Sequence, residues 1–370
     1  MDKFLWLYNR LKAMTPQEVF YRVQKVIWNK INKVKYRQDL YAYQLVEDDI
    51  ELDKVYKNLN NIFSEIDYSS VEVKDYFNTF NDKIQFCNQY QWHKGTVATW
   101  NSNQYSNDIE FKNTDNIGDI RYTWEINRHQ FMPYLASLYM KTKDEKYLDL
   151  LKNNFEDWMQ NNYFLKGVNW SSSMEIALRA YQWLIVLYLL EDIDDTVFKE
   201  KLSKSIVASI EYVMKNLSLY SSANNHLILE VMISSVVGYV FKDSYNQDWF
   251  NEGYIILEKE IILQNHKDGV NKEQALHYQG FVLDAIIQYN FILKNIGKKP
   301  IAEEVIYNSL EFIGSLKADK LNVDYGDSDD AKILSFSHKK KNYYQYILEL
   351  GSIYYKEKFI EFENISIKRC

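Results

Sequence analysis

The sequence predicts an all-α fold: an incomplete α/α toroid of helical hairpins with an inner and an outer helix layer. Three observations carry this. The chain of 370 residues holds only 3 Pro and 11 Gly, too few for the many sharp turns of a sheet-rich fold. From about Asp119 onward, an apolar segment, a polar break and an amphipathic segment recur roughly every 50 residues. The two segments of each pair also differ in kind, as two concentric layers require.

In chain order, "WEINRHQFMPYLASLYM" precedes "EKYLDLLKNNFEDWMQNNY", and "SSMEIALRAYQWLIVLYLL" precedes "TVFKEKLSKSIVASIEYVMKNL". "NNHLILEVMISSVVGYVF" then precedes "WFNEGYIILEKEIILQ", and "ALHYQGFVLDAIIQYNFILK" precedes "IAEEVIYNSLEFIGSLK". A fifth unit begins near "YGDSDDAKIL" and runs into "NYYQYILELGSIYY". The starts fall near residues 124, 171, 224, 275 and 326. Met174 to Leu190 is apolar almost all round, which means burial on several sides. Glu145 to Tyr163 keeps Tyr147, Leu148, Leu151, Phe155, Trp158 and Met159 on one stripe, so its other face meets water.

Residues 1–118 read as a helical segment and a cleft loop packed on the toroid core of residues 119–370. "TPQEVFYRVQKVIWNKINKVKYR" is a basic amphipathic helix, with Thr15 as N-cap and Pro16 at the first helical position. It is expected to pack on the toroid; a membrane-surface role is the alternative. The polar stretch from Trp92 to Asp119 reads as a loop across the ring mouth, with Trp92, His93 and Trp100 placed to touch a ligand.

Composition excludes several classes. A net charge of −7 argues against a nucleic-acid footprint. "LIVLYLL", Leu184 to Leu190, is far below the roughly 20 residues of a membrane span. The N-terminal apolar run is broken by Asn9 and Arg10 without a small-residue cleavage site, so a cytoplasmic location is expected. Cys87 and Cys370 form no disulfide framework. No P-loop, dinucleotide fingerprint, HExxH or GxSxG pattern occurs, and two cysteines cannot build a Cys-rich zinc site. No cofactor and no metal are expected. The 31 Tyr and 9 Trp suit a sugar-stacking cleft, or equally the packing of large helices.

The unusual polar residues cluster where the inner helices begin. These are Trp124, Glu125 and Arg128; then Asn169, Trp170, Ser171, Glu175 and Arg179; then Asn224, Asn225, His226 and Glu230. Glu273, Gln274, His277 and Tyr278 open the fourth inner helix, and Asp327, Asp329 and Asp330 the next element. In a hairpin ring, all inner helices start at one end, so these groups meet at one rim over positive helix-dipole ends. Blander roles compete. Ser171 and Asn224 are ordinary N-cap types. Glu175 and Arg179 stand at i, i+4. "GDSDDA" lacks the EF-hand spacing and reads as an acidic helix-start cap.

The ordered motifs "RYTWEINRHQF", "GVNWSSSMEIALRAYQWL", "NNHLILE", "DGVNKEQALHYQGF" and "YGDSDDA" resemble the heparinase II/III family of polysaccharide lyases. The resemblance implies β-elimination on a uronic-acid polysaccharide. That chemistry needs a neutralised carboxylate, a base for the C5 proton and an acid for the leaving O4. Carried over by motif, Asn225 binds the carboxylate, Tyr278 is base, acid or both, and His226 assists. Trp124, Glu125, Arg128, Asn169, Trp170, Glu175 and Arg179 hold sugar rings and acidic groups, with Glu230, Gln274 and His277 beside them. The family also carries a C-terminal β-sandwich. Here the chain ends at Cys370, about 40 residues past "GDSDDA", so the toroid alone is expected. A separate β-sandwich chain would then supply the missing wall. Two other readings stay open: a non-catalytic glycan-binding toroid, and an α/α-toroid glycoside hydrolase using two of Glu125, Glu175, Glu230 and Asp327.

Overall fold

The computed structural model describes residues 3–63, 68–69, 71–79, 83–111, 116–316, 323, 325–327, 332–334 and 342–359. Asp329 and Asp330 lie outside the described residues.

Five helices form an inner layer: α5 (Phe131–Thr142), α7 (Ser173–Leu189), α9 (Asn225–Phe241), α11 (Leu276–Asn295) and α13 (Tyr343–Tyr355). Each packs on the next, α5 on α7 and so on to α13. Four outer helices alternate with them: α6 (Glu145–Asn161), α8 (Thr196–Lys215), α10 (Trp249–Gln264) and α12 (Glu303–Ser315). Each outer helix packs on the inner helix before it. The result is the incomplete α/α toroid that the periodicity implies. Almost the whole of α7 and α9 is buried, whereas α6 and α10 bury one stripe each.

The first and last repeats depart from the sequence reading. Trp124 to Met140 is not one helix but two, α4 (Ile120–Asn127) and α5, with His129 between them at φ +61°. Pro133 is the cause: in a continuous helix its ring would clash with the carbonyl four residues back, at His129. The fifth inner helix starts at Tyr343 rather than near 326, and Tyr325 to Asp327 are not helical. The N-cap of α7 is Ser172, whose hydroxyl accepts from the Glu175 amide, not Ser171. Asn224 caps α9 by accepting from His226 N at 3.0 Å.

The hollow of the arc is filled. Ile333 is fully buried. Its carbonyl accepts from Gln182 Nε2 of α7 at 2.7 Å, and its amide donates to Asp284 of α11 at 3.3 Å. Residues 332–334 therefore bridge the two helices flanking α9 on its concave side, and an open site is confined to the ends of the inner helices.

The end where the inner helices finish is closed by α3 (Leu52–Ile62), which packs on α7, α9 and α11. Asn58 Nδ2 donates to Val240 O near the end of α9 at 3.1 Å, and Asn295 at the end of α11 donates to Ile62 O at 3.1 Å. These amides satisfy carbonyls that a helix end leaves without partners. Preceding α3 in the chain are α1 (Lys3–Ala13) and α2 (Pro16–Lys35); after it comes a small antiparallel pair, β1 (Tyr76–Asn78) with β2 (Lys83–Gln85). Thr15 caps α2 as expected, accepting from Glu18 N at 3.2 Å.

Two corrections concern residues 1–118. Trp92, His93 and Trp100 are buried rather than presented at the mouth. Trp92 Nε1 donates to Asp157 at 2.7 Å, and Trp100 Nε1 to Thr123 at 3.0 Å, tying the loop to α6 and α4. Helix α2 does pack on the toroid, but with its polar face inward. Tyr21 and Lys25 donate to Leu217 O and Asn216 O, and Glu18 accepts from Ser221.

Helices α9 and α10 touch closely at Gly253, where a Cβ would lie 2.7 Å from both Ser235 Cβ and Val231 O. Gly253→Leu is therefore expected to lower stability by about 1–3 kcal/mol. Urea unfolding reads this, and an unchanged midpoint would show that the two helices sit further apart.

Candidate active site at the rim of the arc

The N-terminal ends of α7, α9 and α11 stand side by side, because these helices are consecutive in the arc. Helix α4 lies across them. At its C-terminal end Arg128 forms a buried fork on Glu175 of α7, with Nε to Oε2 at 2.8 Å and Nη2 to Oε1 at 2.9 Å. Glu125 takes the remaining side of Arg128 at 3.1 Å. At its N-terminal end Arg121 pairs with Asp119 at 2.7 Å and reaches Asp327 at 3.4 Å. Asp327 in turn accepts from the Tyr278 hydroxyl of α11 at 3.1 Å. Eight residues of helix rise roughly 12 Å. Helix α4 thus packs on α7, and through Asp327 its other end joins the Tyr278 hydroxyl at the start of α11.

Asn225 and His226 open α9. Asn225 Nδ2 donates to Glu273 Oε2 at 2.8 Å, and its backbone amide donates to Glu273 Oε1 at 3.2 Å. Glu273 thereby fixes the direction of the Asn225 amide and leaves it one further N–H. His226 and Tyr278 are each half-buried, and Gln274 and Asp327 are exposed. Gln274 adopts φ +56° in the tight turn that leads into α11.

Arg121 and Asp119 were not among the residues the sequence reading selected. Their hydrogen bonds hold the Asp119 carboxyl below the usual carboxylate range, and Asp119 in turn pushes Arg121 up. A signal existed: Arg121 stands four residues before Glu125, within the same motif.

Six other candidates lie beneath the rim. Arg179 does not pair with Glu175 by hydrogen bond. Its guanidinium donates to Asn127 O at 3.2 Å and Asn169 O at 3.0 Å, and lies over Trp158, 4.4 Å from the ring centre. Burial pushes its pKa down to about 9. Asn169 donates to Asn162 Oδ1 at 2.8 Å, and Trp170 Nε1 to Asn162 O at 3.3 Å. Trp124 is buried with Trp100, Ile120 and Val168, and offers no open ring face. His277 is buried against Tyr343, ring centres 4.9 Å apart. Glu230 is buried and accepts from Ser218 N and Oγ at 2.7 and 2.8 Å. Burial makes these groups the rim's support.

The charge balance corrects the anion-friendly expectation. Arg128 and Arg121 are committed to acidic partners, and Arg179 is internal. At the positive end of the α9 dipole stand Asn225, which is buried, and His226, which is half-buried. Asp327 is not helical. Among the described residues no group of three or more His, Cys, Asp and Glu can hold a metal ion, and no helix is long and apolar enough to cross a membrane.

A two-layer arc of hairpins with a polar rim of Asn, His, Tyr and paired charges defines a helical-toroid protein. Sequence comparison makes the assignment specific. The family model described as Heparinase II/III N-terminus matches residues 25–312, and the chain belongs to that family. A heparin-sulfate lyase of Bacteroides thetaiotaomicron is 26% identical over 225 residues, 59% of this chain and 30% of that protein. The chain thus spans less than a third of that curated relative. Among solved structures, the heparan sulfate lyase HepC from Pedobacter heparinus matches with a TM-score of 0.48 at 20% identity. That match covers 73% of this chain and 43% of the other. An alginate lyase from Bacteroides ovatus matches with a TM-score of 0.47 at 13% identity, covering 89% and 90%.

Two predictions follow from the rim and its support. Glu175→Gln strips the buried Arg128 of its fork and is expected to destabilise by about 3–5 kcal/mol. Glu125→Gln, on the half-exposed side, is expected to cost under about 1 kcal/mol. Chemical denaturation of both variants separates them, and equal losses would count against the fork. The second concerns Glu230, which burial pushes up from 4.5 to about 7. A carboxyl raised in the folded state stabilises fully below its unfolded pKa. That contribution declines from pH 4.5 to 7 and is then gone, a change of roughly 3 kcal/mol. Asp284, pushed up to about 6 by burial, acts in the same direction. Glu230→Gln should flatten the stability profile between pH 5 and 7 relative to the parent; a profile of unchanged slope would show that Glu230 is not the group responsible.

Proposed function

We propose that the chain is the toroid portion of a polysaccharide lyase that cleaves uronic-acid polymers by β-elimination. One observation carries this reading. The Tyr278–Asp327–Arg121 string and the Asn225–Glu273 pair stand at the starts of adjacent helices, α11 and α9. An acid–base hydroxyl and an amide donor, the latter buried at 4% exposure, therefore stand at one rim.

The roles follow from the donors. The second side-chain N–H of Asn225 donates to the uronate carboxylate and draws off part of its charge, which acidifies the C5 proton. Tyr278 is the acid–base residue. Its hydroxyl donates to Asp327 at 3.1 Å, which fixes the direction of the phenolic proton. The base takes the C5 proton, the C4–O4 bond breaks, a C4–C5 double bond forms, and the leaving O4 takes a proton. His226, next to Asn225, stabilises the negative charge that builds during the first step. Arg128, Glu125 and Glu175 hold α4 across the rim rather than binding sugar.

The family relatives named above act on heparan-type and alginate polymers, as their names state, so the substrate is proposed as an acidic polysaccharide. Because this chain matches only part of the heparin-sulfate lyase, a second wall from a further domain or a separate β-sandwich chain is part of the proposal. The hydrolase reading has weaker support. Glu175 is locked on Arg128 and Glu230 is buried on Ser218, so neither faces Asp327 across an open gap.

The test is the ultraviolet absorbance of the C4–C5 unsaturated product, over a panel of sulfated and unsulfated uronate polymers, with and without a supplied β-sandwich domain. Turnover is expected, and Tyr278→Phe should lower it by about 10²–10⁴-fold while leaving polymer binding in place. Binding without absorbance across the whole panel would favour a non-catalytic glycan-binding toroid. Chain shortening without absorbance would favour hydrolysis.

A further inference from the structure

Helix α2 is amphipathic in the wrong sense for a helix packed on a core. Its buried side is polar: Glu18 and Asn32 are buried, and Tyr21 and Lys25 donate to backbone carbonyls that follow α8. Its outward side is apolar. Phe20, Val23, Ile27, Ile31 and Val34 recur at three- and four-residue spacing, so they form one stripe along the helix. Each is between 52% and 76% exposed.

The charge around this stripe is opposite to that of the molecule. Residues 3–35 hold eight Lys or Arg and one acidic side chain, Glu18, whereas the chain as a whole stands at −7. Lys30 and Lys35 border the stripe on its two sides and are exposed, as are Arg10, Lys12 and Arg37 nearby. An exposed apolar stripe edged by cations is the signature of a helix that lies in the plane of an anionic lipid surface. A second copy of the chain fits poorly, because face-to-face helices would bring the two cationic borders together.

We propose that α2 seats the protein on an anionic lipid surface, with the Phe20–Val34 stripe in the acyl boundary and Lys30 and Lys35 among the headgroups. The inference is independent of the proposed catalysis. It has one geometric consequence for the rim. Glu18 and Arg22 bond to Ser221, and the Tyr21 and Tyr220 rings pack 5.5 Å apart. Helix α2 is thereby tied to the segment just before Asn224, so the cleft would sit beside the lipid.

The experiment is cosedimentation of the full chain with vesicles of phosphatidylcholine alone or mixed equally with phosphatidylglycerol. Binding is expected only to the mixed vesicles and should weaken as salt rises. Ile27→Gln with Val34→Gln should reduce it at least about tenfold, with circular dichroism and melting unchanged because both side chains are exposed. Three results would overturn the proposal. The first is binding of the parent to mixed vesicles no stronger than that of the double variant. The second is equal binding to both vesicle types. The third is a dimer in solution that the double variant converts to monomer, which would assign the stripe to a second copy.

Discussion

The buried fork of Arg128 on Glu175 is the interaction on which the rim depends. Helix α4 has eight residues, too few to hold its own position, and Pro133 cuts it off from α5. Its place across the arc is set at one end by this fork and at the other by Arg121 with Asp119 and Asp327. A buried guanidinium and carboxylate are tolerable only because both N–H donors and both oxygens are satisfied. Without that tie, the Tyr278–Asp327 pair would lose its cationic neighbour, Arg121.

Beneath the fork lies a second layer of polar contacts that is structural. Arg179 joins the Asn127 and Asn169 carbonyls, and Asn127 also accepts from Trp158 Nε1 at 2.8 Å. Trp158, Trp170 and Trp183 surround the guanidinium. This hub locks the turn before α7 to the break before α5. Much of the tryptophan that composition offers to a sugar cleft is used here.

The architecture was legible because hydrophobic period and hairpin spacing are local properties. The inner and outer layers, the Thr15 and Asn224 caps and the shared rim all follow from them. The partners of charged residues were not legible. Glu175 and Arg179 stand at helical spacing and look like a pair, yet Glu175 turns to α4 and Arg179 to the tryptophans, because tertiary neighbours offer better donors and acceptors than one helical turn does. Arg121 was passed over although it opens the first motif, because its partner Asp327 lies 206 residues away. The orientation of α2 was not legible, because periodicity reports which residues share a face, not what that face meets. The break at His129 could have been read from Pro133.

The central claim is that the start of α9 and the start of α11 act on one uronate ring. The most direct measurement is a crystal structure of the Tyr278→Phe variant with a uronate tetrasaccharide. The account predicts one ring carboxylate within about 3 Å of Asn225 Nδ2, and C5 of that ring facing position 278 beside Asp327. A sugar bound elsewhere, or a carboxylate held by Arg128 after its fork with Glu175 opens, would contradict it.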